Sequence, residues 1–475
     1  MQTNKSALVT LISVFFFWGF VAASNDILIP VFKEKLNLEQ WQSQLISVAF
    51  YLAYTVGSII YIGISKIYGS DILNKIGYKN GIALGLCISA IGTLLFYPAA
   101  QLVSFNLMIT GLFIVALGFS LQQTAANPLA IVMGDPSKGS QRLSLAGGVN
   151  NIGTTIGPLV VSYAIFGAVS SGNKLDDIGA VKFPYLILGA AFLIVALIFK
   201  FSSLPNKIHD EKQEVINDPT AKKSSLHYPQ LVLGMIAIFI YVGVEVATAS
   251  NLPEYMKQYI NIETSQAAPY VSLFWASLMI GRWTSSAGAF DVKPTTKQAL
   301  RFLMPYLAFG VFLLVNAMAK SDLSVFYPYA FVILVMIGAD ILSKGNPARQ
   351  LVIFSICGIA ALVIGMLTTG LVSVYLFISV GLFCSTLWPC IFTLAIAGLG
   401  KYTNQGSSYL IMMIMGGGLI SWLQGWLAGD DLLGIKWSYI VGVFCFIYLA
   451  FYGWKSSALL KAQGIDLDAQ NTPAH

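Results

Sequence analysis

From Phe15 to Phe32 the chain reads F-F-F-W-G-F-V-A-A-S-N-D-I-L-I-P-V-F. It opens as membrane helix, then sets Ser24, Asn25 and Asp26 side by side ahead of Pro30. An ionised Asp at bilayer depth costs at least about 2.5 kcal/mol on insertion scales. A stretch this apolar keeps such a group for a pathway or for a partner. Pro30 lacks a backbone donor, so the segment is expected to end there, with the polar cluster beside a weak point in the backbone. The plainer alternative puts Asp26 at the outer end of a spanning helix. Ala7 to Asp26 covers about 28 Å at 1.5 Å per residue, so geometry permits that too.

The same apolar character runs through the whole chain. Of 475 residues 56% are hydrophobic and 10% charged, which defines a polytopic membrane protein rather than a soluble one. The net charge of +6 is scattered through short loops, so it does not point to nucleic acid. Cys87, Cys357, Cys384, Cys390 and Cys445 all lie in apolar runs without a Cys-x-x-Cys pair, which indicates neither a disulfide framework nor a metal site. His209, His227 and His475 fall in loops or the tail, which excludes a histidine proton relay in the membrane. The N-terminal run is too long and aromatic for a cleaved signal and is read as the first helix. No cofactor is implied.

Apolar runs fall near 7–30, 43–66, 80–100, 104–133, 141–168 and 181–203. A polar segment, 204–228, follows as the one long hydrophilic stretch and divides the chain. Eight more runs lie near 229–256, 266–289, 298–319, 324–343, 347–369, 371–398, 405–428 and 435–457. With the N-terminus in the cytoplasm, inside segments carry 20 of the 27 Lys and Arg and outside segments 7. That bias places both termini inside and favours an even count of fourteen helices. Short echoes link the halves: Ala23-Ser24-Asn25 with Ala249-Ser250-Asn251, Gly139-Ser140 and Leu143 with Gly406-Ser407 and Leu410, and Asn127-Pro128 with Trp388-Pro389. Their shared order argues for a duplicated transporter. The expected architecture is all-α: a six-helix bundle over 1–203, a cytoplasmic linker at 204–228, a second bundle over 229–459 and a cytoplasmic tail at 460–475. Twelve helices then form the duplicated pair of bundles, and the pair at about 298–343 is an insertion.

Five places could carry chemistry. The first is Asn25 with Asp26. The second is Gln122 to Pro128, where Gln122, Gln123 and Asn127 are amides costly in lipid unless bonded. Interhelical hydrogen bonds of about 0.6 kcal/mol each are their structural alternative. Sugar hydroxyls need such donor–acceptor amides. The third is Arg142 to Gly153, with Arg142 read as a topology charge, Asn150 and Asn151 deeper, and the glycines read as sites of close helix packing. The fourth is Glu245, about 21 Å into its helix, with no Lys or Arg near it on that helix. The fifth is aromatic: Trp18, Trp275 and above all Trp388, beside Pro389, could stack on the apolar face of a sugar. Arg282 is read as snorkelling to the cytoplasmic face, and Asp340 as a structural acid with Lys344 in reach.

W-G-F-V-A-A-S-N-D-I-L-I-P-V-F, A-F-Y-L-A-Y at 49–54, Q-T-A-A-N-P at 123–128, R-L-S-L-A at 142–146 and G-S-S-Y-L-I-M-M-I-M-G-G-G at 406–418 together resemble the fucose–galactose–glucose:proton symporters, a sugar branch of the major facilitator superfamily. The resemblance implies two six-helix bundles, a central cavity and alternating access in a bacterial inner membrane. It gives Asp26 a part in proton coupling. The second acid of the branch is Gln123 here, and two further polar positions are Ala23 and Gly147. Glu245 resembles an acid on the seventh helix of the glucose/galactose members. The expected function is import of a monosaccharide by proton symport, with Asp26 and Glu245 coupling the proton and Asn25, Gln122, Gln123, Asn127, Asn150, Trp275 and Trp388 binding sugar. Its partners are the sugar, a proton (or sodium) and the bilayer, with the chain acting as a monomer.

The alternatives are an uncoupled facilitator, a sodium-coupled carrier, a proton-coupled drug exporter and a sugar sensor. A polytopic enzyme would need a loop holding a nucleophile, a metal triad or a carboxylate pair, and no loop here does. The topology is tested by a reporter fused at Lys222. Its activity should be that of a cytoplasmic site, and an external reading would overturn the loop assignment.

Overall fold

Hydrocarbon offers no hydrogen bonds, so a spanning segment must satisfy its own backbone, and this chain does so as helix. The computed structural model describes residues 5–35, 40–133, 139–166, 182–202, 204, 224–262, 267–286, 293–429 and 431–465. At 5–6, 23–35, 40–47, 158–159, 161–166, 268 and 294 it describes the course of the helix alone. The first half comprises α1 (Lys5–Lys35), α2 (Gln40–Ile67), α3 (Tyr78–Gln101), α4 (Phe105–Val132), α5 (Gly139–Phe166) and α6 (Lys182–Phe201). The second comprises α7 (Pro229–Ile260), α8 (Ala268–Ser286), α9 (Pro294–Met318), α10 (Tyr329–Ser343), α11 (Pro347–Leu367), α12 (Gly370–Ile396), α13 (Gly400–Leu427) and α14 (Ile440–Ala462). Eleven helices among the described residues are long and apolar enough to cross a membrane. The chain is an integral membrane protein.

Pro30 does not end α1, which stays helical to Lys35. A proline forfeits one bond to the preceding turn, a loss that a helix held by neighbours can absorb. Other breaks are local. α12 parts at Ser385 and Thr386, just before Trp388-Pro389, and α13 tightens to a 3-10 turn over Met413–Met415.

The packing repeats between the halves. In the first, α1 lies along α5, α2 along α4, and α3 along both α4 and α6. In the second, α7 lies along α13, α8 along α12, and α11 along both α12 and α14. The correspondence holds when α9 and α10 are skipped, so these two are the inserted pair. The sequence echoes fall on matching helices: α1 with α7, α4 with α12, α5 with α13. The two innermost pairs approach through glycine. A Cβ on Gly153 of α5 would strike the Phe16 carbonyl of α1, and one on Gly416 of α13 would strike the Phe239 carbonyl of α7.

Two charges differ from their sequence reading. Arg142 is not a loop charge. It is fully buried, and its guanidinium donates to the carbonyls of Ala130 (3.0 Å) and Ile131, which the end of α4 leaves without helical partners. Asp340 is paired not with Lys344 but with Arg301 of α9, at 3.4 Å. It also accepts from Gln350 Nε2 of α11 at 3.1 Å. This network pins the inserted pair to the second half, where α9 packs along α8. Arg301→Ala should therefore lower stability by about 1–3 kcal/mol through the unpaired buried carboxylate, as read by thermal unfolding in detergent. Asp340→Asn in the same chain should restore part of the loss.

Candidate functional site

A cavity of about 240 Å³ lies between the halves. α1, α2, α4 and α5 form one wall, and α7, α8, α12 and α13 the other. No described residue of α9 or α10 reaches it. Its size is below the roughly 300–1,000 Å³ of drug-sized pockets and suits a smaller polar ligand.

The first wall is built from amides on an aromatic floor. Gln123 and Asn127 stand one turn apart on α4 and both line the cavity. Gln123 Nε2 donates to the Tyr54 hydroxyl at 3.2 Å. Asn127 Nδ2 is buried and has no hydrogen-bond partner among the described residues. Asn150 of α5 also lines the cavity and donates to the Phe15 carbonyl at 2.9 Å. Phe15, Trp18, Phe50, Tyr51 and Tyr54 surround these amides.

Gln122 belongs elsewhere. It is fully buried, its Oε1 accepts from the Trp18 indole N–H at 2.7 Å, and its Nε2 donates to Ser89 at 3.1 Å. It ties α4 to α1 and α3 behind the cavity wall and is not a lining residue, against the sequence expectation. Neighbours on a helix point about 100° apart, so one of two adjacent amides faces the cavity and the other the bundle interior.

The second wall is aromatic and charged. Trp275 of α8 and Trp388 of α12 both line it, and the Trp388 ring lies 6.1 Å from that of Tyr241. Glu245 of α7 also lines the cavity. It stands one turn after Tyr241 on the same helix. Arg282 of α8 lines the same cavity, so Glu245 is not remote from every cation as its own helix suggested.

Arg282 does not snorkel. It is buried in the cavity wall and donates to Asn151 Oδ1 at 2.9 Å and the Ser385 carbonyl at 2.9 Å. Arg282, Tyr241, Tyr51, Tyr54 and Thr154 are polar lining residues that sequence reasoning left out of the site, and Asn151 was noted but not assigned to it. The depth of Arg282, about seventeen residues into its run, was the available signal. Asn25 and Asp26 lie on α1, and their side chains fall outside the described residues.

Two duplicated bundles enclosing a polar cavity are the architecture of a membrane carrier. The Major Facilitator Superfamily model matches residues 6–343, and the chain belongs to that superfamily. Within it, the chain falls in the branch of the fucose–galactose–glucose:proton symporters. It is 33% identical over 449 residues to a glucose/galactose transporter of Brucella abortus biovar 1 (strain 9-941), covering 94% of this chain and 93% of that one. It is 28% identical over 457 residues to the L-fucose-proton symporter of Escherichia coli K12, covering 92% and 90%. The crystal structure of the Escherichia coli fucose:proton symporter superposes with a TM-score of 0.70 at 25% identity, over 96% of this chain and all of that one.

The two adjacent glutamines should separate in experiment. Gln122→Ala should destabilise the fold by about 1–3 kcal/mol, because Trp18 and Ser89 lose buried partners. Gln123→Ala should leave the unfolding temperature close to wild type.

Proposed function

We propose that the chain imports a neutral monosaccharide, a hexose of the glucose/galactose kind, by proton symport with alternating access. The observation that carries this is the pairing of Gln123 and Asn127 across from Trp275 and Trp388 in one small cavity. Gln123 commits its NH₂ to Tyr54, so its oxygen can accept from a sugar hydroxyl. Asn127 Nδ2 has no partner among the described residues, which leaves a donor that a small turn of its side chain would bring to a neighbouring one. Asn150 adds a further lining amide, and Asn25 of α1 is assigned to the sugar from the sequence alone. The two tryptophans offer flat apolar faces for the C–H side of the ring. The amide wall belongs to one half and the aromatic wall to the other, so a bound sugar is held by both.

Asp26 and Glu245 are the carboxyls assigned to proton coupling. Asp26 stands in the N-D-I-L motif of the resemblance, and Glu245 lines the cavity. In this reading the chain works as a monomer in a bacterial inner membrane, with the 204–228 linker and both termini in the cytoplasm. A second reading, an uncoupled facilitator, has its own support. Gln123 cannot carry a proton, and Glu245 shares its cavity with the cation Arg282.

The test is uptake of labelled glucose, galactose and fucose into proteoliposomes, with and without a pH gradient. Accumulation against the sugar gradient is expected only with the proton gradient present. Gln123→Ala should weaken hexose binding by about 1–3 kcal/mol. Neutralising the carrier acid, as Asp26→Asn or Glu245→Gln, should abolish accumulation but spare sugar exchange, which needs no net proton release. Accumulation that survives in both variants would overturn carboxyl-based proton symport. A wild type that only equilibrates sugar would establish the facilitator.

A further inference from the structure

Arg282 lines the cavity, yet the transport reading leaves it without a task. Its donors are divided between the halves. Nε holds the Ser385 carbonyl at 2.9 Å, at the break in α12 of its own half. Nη1 crosses to α5 of the other half, to Asn151 Oδ1 at 2.9 Å and the Gly147 carbonyl at 3.3 Å. Nη2 donates to the Tyr241 hydroxyl at 3.4 Å, and Glu245 follows one turn later on the same helix and lines the same cavity. A Cβ on Gly147 would sit 3.0 Å from Nη1, so a bare backbone is what lets the guanidinium come this close to α5. One cation thus ties the halves together while lying in the field of a carboxyl.

We propose that Arg282 is the positioning residue through which Glu245 controls the contact between the two halves. This rests on the reading that Glu245 takes up and releases the transported proton. With Glu245 neutral, the best acceptors for Arg282 are the oxygens of α5 and α12, and the halves are tied. With Glu245 ionised, its carboxylate competes for the same guanidinium, and the bonds to Asn151 and Gly147 weaken. Alternating access requires such a contact to form and break once per cycle. The only covalent change is at the Glu245 carboxyl, whose proton passes to water on the side to which the cavity is open.

The other titratable groups around Glu245 are few. Tyr241 shares its helix, and Cys384 of α12 and Cys445 of α14 are the buried thiols of the packed elements. α13 presents Ile414 to the cavity, and Tyr51 and Tyr54 line it from the first half. Asp26 lies outside the described side chains. Among the described lining residues, Arg282 is the one cation and Glu245 the one carboxyl.

The test uses full-length protein in proteoliposomes with spin labels at Asn80 and Lys401. Both are exposed and flank the hydrogen bond from the Tyr78 hydroxyl to Asn404, which joins α3 of one half to α13 of the other. Pulsed electron resonance reads the distance between them. In the otherwise unmodified protein, raising the pH should reduce the short-distance population. Glu245→Gln should keep that population at every pH. Arg282→Gln should cut it by about ten- to a hundredfold, the range for a charge-assisted bond, and remove the pH response. Arg282→Lys keeps the charge but not the fork, so it should retain a pH response around a weaker tie, and this variant decides the matter if Arg282→Gln does not fold. A full pH response in Arg282→Gln or Glu245→Gln, or an unchanged tie in Arg282→Lys, would overturn the proposal. Counterflow of labelled glucose in the same vesicles tests the sugar reading separately. A pH-dependent distance without exchange defeats that reading and leaves the tie, whereas exchange with a pH-independent distance does the reverse.

Discussion

A polar group at bilayer depth has no water to turn to, and leaving one unpaired costs several kcal/mol. The arrangement of this molecule follows from how that demand is met. Gln122 is answered by Trp18 and Ser89, Arg142 by the carbonyls at the end of α4, and Asp340 by Arg301 and Gln350. Each answer comes from another helix or another turn, so each also fixes how two elements pack. Asn127 Nδ2 stands apart: it has no partner among the described residues, on a residue that lines the cavity.

The same demand explains the close approach of α1 to α5 and of α7 to α13. Between helices in lipid there is little hydrophobic gain, and contact must come from packing. Gly153 and Gly416 let two backbones meet where any side chain would hold them apart. These pairs sit at matching places in the two halves, and the cavity-lining residues of α1, α5 and α7 lie beside them.

Much of the fold was legible because apolar length and loop charge are properties of a segment by itself. The fourteen runs and the position of the inserted pair needed no knowledge of what packs where. The site was legible in part. Gln123, Asn127, Asn150, Glu245, Trp275 and Trp388 all reach the cavity, but Gln122 does not, and nothing in the string Q-Q distinguishes the two. That choice depends on the rotation of α4, which neighbouring helices set. Arg282 was misread because its depth was measured along its own helix, whereas Asn151 and Gly147 of α5 and Ser385 of α12 hold it in place. The pairing of Asp340 was misassigned for a similar reason. Lys344 is close in the chain, but Arg301 is close in space. The end of α1 was misread because a proline rule for isolated helices was applied to one that has neighbours.

The inserted pair makes the two halves unequal in a way that has nothing to do with the cavity. α9 and α10 add their exposed faces, including Leu303, Leu314, Phe331 and Val335, to the lipid-facing perimeter of the second half alone. A body turning in a viscous sheet meets a drag that grows with its footprint. When the halves rotate against each other, their torques are equal and opposite, so the half with the smaller footprint turns further. With its footprint enlarged in this way, the second half would turn less than the first.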